Sequence, residues 1–281
     1  MKTYAMGWVR ELPDFRDYSL TAEGVAKVFE NRPELLERIL KVATRKREDL
    51  REWCPPIEDQ EALGSCTAHA GVALVEYYEK RAAGEHLDAS RLFLYKVTRN
   101  LLHWTGDTGA YLRTTMKAMR LFGVPPEEYY AYDVARFDDE PEAFLYAFAA
   151  NYKALVYTRL DLPGTDKDDL LRQIKRLLRT GFPAMFGFTV YSSLYSAEQG
   201  RIPYPREGDK VVGGHAVVAV GYDNDLEIGE DTGALLIRNS WGTDWGEDGY
   251  GWLPYKYVTA GLAVDWWTLF KQEWVDTGQF D

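Results

Sequence analysis

The sequence predicts an α+β protein with two lobes, a helical lobe followed by a strand-rich one. Three observations carry that expectation. Up to about residue 150 the apolar residues recur at helical spacing. From about residue 152 the texture changes to short runs of Val, Ile, Tyr and Phe separated by Gly, Pro and Asp. Hydrophobic residues make up 46% of the 281, with nine Trp and nineteen Tyr, enough apolar material to fill a sizeable core.

Residues 1–50 read as an N-terminal extension ahead of a main domain at 51–281. GWVRELPDFRDYSL has the proline and scattered aromatics of an extended segment. TAEGVAKVFENRPELLERILKVATRKRED reads as helix interrupted near Pro33, with Leu35, Leu36, Ile39 and Leu40 at helical spacing and RKREDLRE as a solvated face. Helices are expected over 66–83, over ASRLFLYKVTRNLL with Ser90 as cap, over GAYLRTTMKAMRLFG with Gly123 as its stop, and in EPEAFLYAFAANY. Pro125 and Pro126 break the pattern between the last two. KALVYTRLDL, AMFGFTVY, HAVVAVGYD, ALLIRNSW and GYGWLPY read as strands. One helix, KDDLLRQIKRLL, interrupts them, capped by Thr165 or Asp166 and ended by Gly181.

The formal net charge is −11 and no basic stretch is present, which argues against a nucleic-acid or anionic-membrane partner. No run approaches the roughly 18 apolar residues of a membrane span, and the N-terminus lacks a signal-peptide pattern. Cys54 and Cys66 are too few for a disulfide framework. The expectation is a cytoplasmic protein with reduced thiols, a leader removed earlier being the alternative. The acidic run DNDLEIGED resembles a calcium loop, but its glycine is at loop position seven and strands flank it. A solvated hairpin loop is the expected structure, and no metal or organic cofactor is expected.

Chemistry concentrates in three stretches. In DQEALGSCTAHA, Cys66 stands at the mouth of a helix, where the macrodipole favours a thiolate. Its alternative is a small buried hydrophobe. In VVGGHAVVAVGYD, two glycines admit something close to the backbone and a strand then carries His215 rigidly. Of the other histidines, His86 and His103 lie in polar surroundings, and His69 reads as a packed core or interface residue. In IRNSWGTDWGEDGYGWLPY, Asn239 can accept from one imidazole nitrogen and aim the other at a thiol, with Trp241 covering that bond.

These three segments, in the order Cys, His, Asn, resemble the active-site blocks of papain-like cysteine peptidases. His215 follows Cys66 by 149 positions, within the family's separation of roughly 130–150. Gln60 falls where the family places its oxyanion-hole glutamine. Leu63 replaces the family's usual cysteine and Thr67 its usual aromatic, a pattern similar to a bacterial GSCTA branch without disulfides. The resemblance implies the papain-like fold, with a helical lobe at about 52–150, an antiparallel, barrel-like β lobe at about 151–260, and residues 261–281 crossing between them.

It also implies a mechanism. Cys66 attacks a peptide carbonyl as thiolate, His215 forms the ion pair and protonates the leaving amine, Asn239 orients His215, and Gln60 with the Cys66 N–H holds the oxyanion. Gly109 would bind substrate backbone, and Trp241 would line the cleft. Asp265 would line the second specificity pocket and favour a basic side chain; its alternative is an ordinary buried, ion-paired aspartate. Trp245, Trp266 and Trp267 read as core. The implied activity is an endopeptidase acting on polypeptides, against an exopeptidase, a transpeptidase or a catalytically silent peptide-binding module. The N-terminal segment is expected to occlude the cleft partly, as an intramolecular inhibitor or propeptide.

Overall fold

A computed structural model describes residues 4–153 and 156–280. In chain order it contains α1 (Glu23–Val28), α2 (Pro33–Lys41), β1 (Arg47–Asp49), α3 (Cys66–Ala83), α4 (Arg91–Leu102), α5 (Leu112–Leu121), α6 (Ala143–Ala149), β2 (Val156–Arg159), α7 (Lys167–Arg179), β3 (Ala184–Tyr191), β4 (Val211–Ile228), β5 (Asp231–Arg238), β6 (Tyr250–Pro254), α8 (Lys256–Thr259), β7 (Ala263–Phe270) and α9 (Gln272–Val275). Ala154 and Leu155, part of the strand expected in KALVYTRLDL, lie outside the described residues.

The helical lobe is built on α3. Its first thirteen residues, Cys66–Tyr78, are all buried, so the helix is a core rod and not an amphipathic surface helix. One side meets α4 and α5, the other meets β4. Gly71 permits the close approach to α4 and α5, since a methyl there would press on Thr115, Met119 and Leu94. Each helix end has an identifiable cause. Ser90 caps α4 by accepting from the Phe93 N–H, and Asp166 caps α7 by accepting from Asp168 and Asp169. Gly123 and Gly181 follow α5 and α7 with φ of 79° and 85°.

The β lobe is one antiparallel sheet in the order β2-β7-β3-β4-β5-β6, with β1 pairing β4 off that path. It coils but stays open: its end strands, β2 and β6, do not pair with each other. Loops cover both margins instead. Arg159 donates its N–H to Tyr18 O at 2.9 Å, and the loop before β4 bonds β6 through Ile202 N to Trp252 O at 3.0 Å and Trp252 N to Gly200 O at 2.8 Å. DNDLEIGED forms the tip of the β4–β5 hairpin, with Ile228 opposite Asp231.

The N-terminal extension is woven into this lobe. Pro33 opens α2, as the break at that residue predicts. Phe29 packs edge-on against Phe182 and Phe270. RKRED departs from the expected helix: Arg47–Asp49 is a strand opposite Asp223–Gly221, because Gly221 has no side chain to keep β1 from its edge. Beyond β7, residues 271–280 return to α3, where Trp274 stacks on Tyr78 at 5.2 Å.

The Ser90 hydroxyl is buried, accepting from Phe93 N at 3.1 Å and donating to Tyr130 O at 2.5 Å. Ser90→Ala should lower unfolding stability by about 1–2 kcal/mol, read as an earlier urea midpoint with unchanged slope.

Candidate active site

The site assembles where α3 begins and β4 passes it. Cys66 is the first residue of α3 and is completely buried. Backbone groups of Ala216, Gly7, Thr67 and Cys66 itself lie close enough to the sulfur to favour its thiolate, against the larger effect of burial. Ala216 is the chain neighbour of His215, so the sulfur lies beside the strand that carries the imidazole. His215 sits in mid-strand opposite Phe188. Its Nε2 bonds Asn239 Oδ1 at 2.7 Å. That oxygen also accepts from Ser240 N at 2.8 Å, so Nε2 is the donor and Nδ1 carries the lone pair. Nδ1 is buried without a partner. The Trp241 ring stacks on His215 with centroids 4.2 Å apart and seals the His–Asn bond from water.

Gln60 comes from the loop ahead of α3. Its Oε1 accepts from Ser240 Oγ at 2.6 Å, and its Nε2 donates to Leu63 O at 2.8 Å and Ala5 O at 3.3 Å. The amide thus ties the loop ahead of α3 to Ser240 and to residue 5 of the N-terminal segment.

The cleft itself is filled by residues 4–9 of the same chain. Tyr4 stacks on Trp241 at 4.4 Å, and Trp241 Nε1 donates to Ala5 O at 3.2 Å. Gly7 lies at the sulfur, wedged so tightly that a methyl on it would overlap the Gly64 carbonyl. Ala110 N donates to Gly7 O at 2.8 Å, Val9 N to Ala110 O at 3.0 Å, and Trp8 N to Gly214 O at 3.1 Å. The expected substrate-backbone residue Gly109 faces Gly7 O across a gap with no room for a Cβ, while its neighbour Ala110 makes the pairing.

The sequence profile described as "Papain family cysteine protease" matches residues 43–264. The chain belongs to the papain family of cysteine proteases. A protein of Acanthamoeba polyphaga mimivirus described as an uncharacterized peptidase C1-like protein is 34% identical over 94% of this chain and 86% of its own length. Xylellain, a cysteine protease from Xylella fastidiosa, is 31% identical, superposes with a TM-score of 0.77, and covers 96% of this chain and 98% of its own. Cathepsin K of Gallus gallus is 29% identical over 75% of this chain and 59% of its own length. The digestive procathepsin L 3 of Tenebrio molitor, 18% identical with a TM-score of 0.63 over 82% of this chain and 71% of its own, shares the fold. The protein is therefore a cysteine-type peptidase, a hydrolase.

In this peptidase the covered site is electrically quiet. Burial pushes the Cys66 thiol up to about 11 and the His215 imidazolium down to about 4. The helix macrodipole at Cys66 is worth about 0.3–1 kcal/mol, less than one pKa unit, so it does not offset the loss of water. Burial thus disfavours the charged form of both groups while the site stays covered.

Asp265 meets Trp8 of the covering segment and sits among buried ion pairs. It is fully buried; Oδ1 meets Arg159 Nη1 at 3.1 Å and Trp267 Nε1 at 2.8 Å, and Oδ2 accepts from Trp8 Nε1 at 3.1 Å. His69 is buried on α3, its Nδ1 within 3.1 Å of Ser65 O and its Nε2 unpartnered. It lines a cavity of about 20 Å³ behind Asn239 with Glu76, Arg91 and Arg238. His103 is exposed at the end of α4, and His86 is half-buried. Trp245, Trp266 and Trp267 are core; Trp266 stacks on Phe186 at 3.9 Å. Sequence reasoning missed Ala110, Gly187 and Arg159 as cleft elements. The paired glycines ahead of His215 did signal a close approach, and Met6 and Trp8 make it.

Because the thiol is covered, iodoacetamide should modify Cys66 of the full chain at neutral pH at least about tenfold more slowly than an exposed cysteine peptide. The rate should climb only well above pH 9; mass spectrometry of the Cys66 peptide reads it.

Proposed function

We propose that the protein is a latent endopeptidase whose cleft is closed by its own N-terminal segment. The observation that carries this reading is Gly7 lying against the start of α3 while residues 4–9 bond Trp241, Ala110 and Gly214 around it. A groove that accepts Tyr4 to Val9 as an extended chain has room for polypeptide on either side of a scissile bond, which favours internal cleavage over removal of terminal residues. The proenzyme forms among the structural neighbours agree with latency.

Once the segment leaves, water reaches the pair. His215 Nδ1 takes the Cys66 proton, and the thiolate attacks the carbonyl carbon of the peptide bond. The oxyanion that forms receives the Gln60 amide and the Cys66 N–H, each donor of this kind being worth roughly 3–4 kcal/mol of barrier. The imidazolium returns the proton to the leaving nitrogen, giving the thioester and a free amine. Water, deprotonated by His215, then releases the acid and restores the thiol. Asn239 holds the tautomer throughout.

The direction of the segment supports its resistance to cleavage. Its N-terminal side lies on Trp241, beside the imidazole that must protonate the leaving amine. A productive substrate puts its C-terminal side there. Residues 4–9 therefore run backwards.

Three outcomes are expected. Cys66→Ala abolishes turnover of a peptide substrate, and His215→Ala abolishes epoxide labelling of Cys66; a labelled, inactive His215→Ala chain would sink the assignment. Gly7→Ala forces a methyl into backbone, an overpacking of about 1–3 kcal/mol, and should raise kcat/KM of the full chain about 5- to 150-fold. It is a cleaner test than deleting residues 1–45, which also removes Phe29 and Leu35 from the core. The pH dependence has a definite sign. Covered His215 titrates near 4 against an ordinary value of 6.5, so the closed arrangement is fully favoured above about 6.5 and weakens as pH falls toward 4. Turnover by the full chain, relative to Gly7→Ala, should rise between pH 7 and pH 5.

A further inference from the structure

The turn from Gln60 to Cys66 carries both oxyanion donors of the proposed mechanism, the Gln60 amide and the Cys66 N–H. No disulfide ties it down, since Cys54 and Cys66 are both free. Hydrogen bonds shape it instead. Leu63 N donates to Gln60 O at 3.1 Å and Ser65 N to Leu63 O at 2.8 Å. Tyr132 holds its two ends, its hydroxyl lying 2.9 Å from Gln60 O and 2.8 Å from Ser65 Oγ. The middle is held from the loop between α4 and α5, where Asp107 accepts the Gly64 N–H on both carboxylate oxygens, at 3.0 and 3.1 Å.

That N–H belongs to the same peptide group as the Leu63 carbonyl. A trans peptide is planar and points its N–H and C=O in opposite directions, so a hold on one aims the other. Leu63 O is the acceptor of Gln60 Nε2 at 2.8 Å. Asp107 therefore grips one edge of a plane whose other edge grips the oxyanion amide. Glycine serves the carboxylate's approach, since a methyl on Gly64 would come within 2.9 Å of Asp107 Oδ1. It also makes the plane easy to turn, so that without Asp107 the Leu63 carbonyl is free to swing away from Gln60.

The same carboxylate reaches the groove. Oδ1 accepts from the Tyr95 hydroxyl at 2.6 Å, and that oxygen in turn accepts from Gly109 N at 3.0 Å. Burial and the carboxylate raise the Tyr95 pKa above its ordinary value, which keeps the phenol a donor. Buried Arg99 lies over the Tyr95 ring at 4.2 Å. Next to Gly109, Ala110 N pairs with Gly7 O. Asp107 itself is exposed, so core packing does not account for it. We infer that Asp107 is a positioning residue for the peptidase reaction: through the Leu63–Gly64 peptide it aims the Gln60 amide, and through Tyr95 it ties that amide to the groove wall at Gly109. The inference rests on the peptidase reading above, and two measurements separate them.

The first needs no catalysis. In the full-length Gly7→Ala chain, the Gln60 side-chain amide protons are identified in nitrogen–proton correlation spectra by their loss in Gln60→Ala. Asp107→Ala should speed their exchange with solvent at least about tenfold. Asp107→Asn keeps an acceptor for the Gly64 N–H and should hold the rate within about threefold of the parent. Unchanged exchange in Asp107→Ala overturns the inference. Asp107→Leu, of the same shape but without an acceptor, gives the same reading should the alanine chain fail to fold.

The second measures kcat and KM in the same Gly7→Ala chain, per active site titrated with a thiol-directed epoxide. Asp107→Ala should lower kcat about 10- to 100-fold, and Asp107→Asn should restore most of it. Tyr95→Phe removes only the Gly109 arm and should raise KM about fivefold while lowering kcat less than about threefold. An Asp107→Ala chain that loses Tm but keeps its kcat per titrated site overturns the inference, and an unchanged KM in Tyr95→Phe overturns the Gly109 arm. No turnover by any chain, with the Gln60 exchange responding as expected, overturns the peptidase reading and leaves the link from Asp107 to Gln60 standing.

Discussion

A short antiparallel seam between residues 58–60 and 240–242 holds the site in register. Gln60 N donates to Ser240 O at 2.9 Å, Gly242 N to Glu58 O at 3.1 Å, and the Gln60 side chain closes the set on Ser240 Oγ. One strand of this seam leads directly into the nucleophile's helix. The other carries Asn239 and Trp241, which fix and roof the imidazole. Two lobes packed around one contiguous core thus share one alignment, set largely by backbone groups. Beside it, Arg238 reaches the carbonyls of Pro55 and Pro56 across the same junction, and Tyr77 and Tyr78 donate to Gly181 and Pro183.

Burial decides the ionisation state of what the seam assembles. A thiol at a helix N-terminus and an imidazole within reach are the ingredients of an ion pair, yet dry surroundings hold both neutral. The local macrodipole gain is worth about a kcal/mol at most, whereas burial carries the thiol up to about 11 and the imidazolium down to about 4. Reactivity therefore depends on hydration of the cleft more than on any single partner of the sulfur, which is why the segment over Cys66 bears on the chemistry as well as on access.

Much of this was legible from residue order because the relevant signals are local. Helix caps, glycine stops, the Trp-Gly pairs after Asn239 and the glycines before His215 each act within a few residues of where they are read. The strand at Arg47–Asp49 was not legible, since its charged residues favour a solvated helix and only an edge of β4, 172 to 176 positions later, makes it a strand. The openness of the sheet depended likewise on distant loops. Asp265 is the instructive case in the site. Its position in the cleft wall followed from family resemblance, but its chemistry is set by Arg159 and Trp8, 106 and 257 positions away, and no spacing rule connects them.

The contact between Tyr18 and Arg159 bears on self-association. The outer margin of β2 is protected there by one backbone bond and by the buried guanidinium, which also grips Glu11 O and Asp17. Peeling the amino terminus past that point would bare a run of unpaired amides next to apolar side chains, a template for self-association. Residues 11–18 thus do more than cover the cleft: they shield the margin of the sheet.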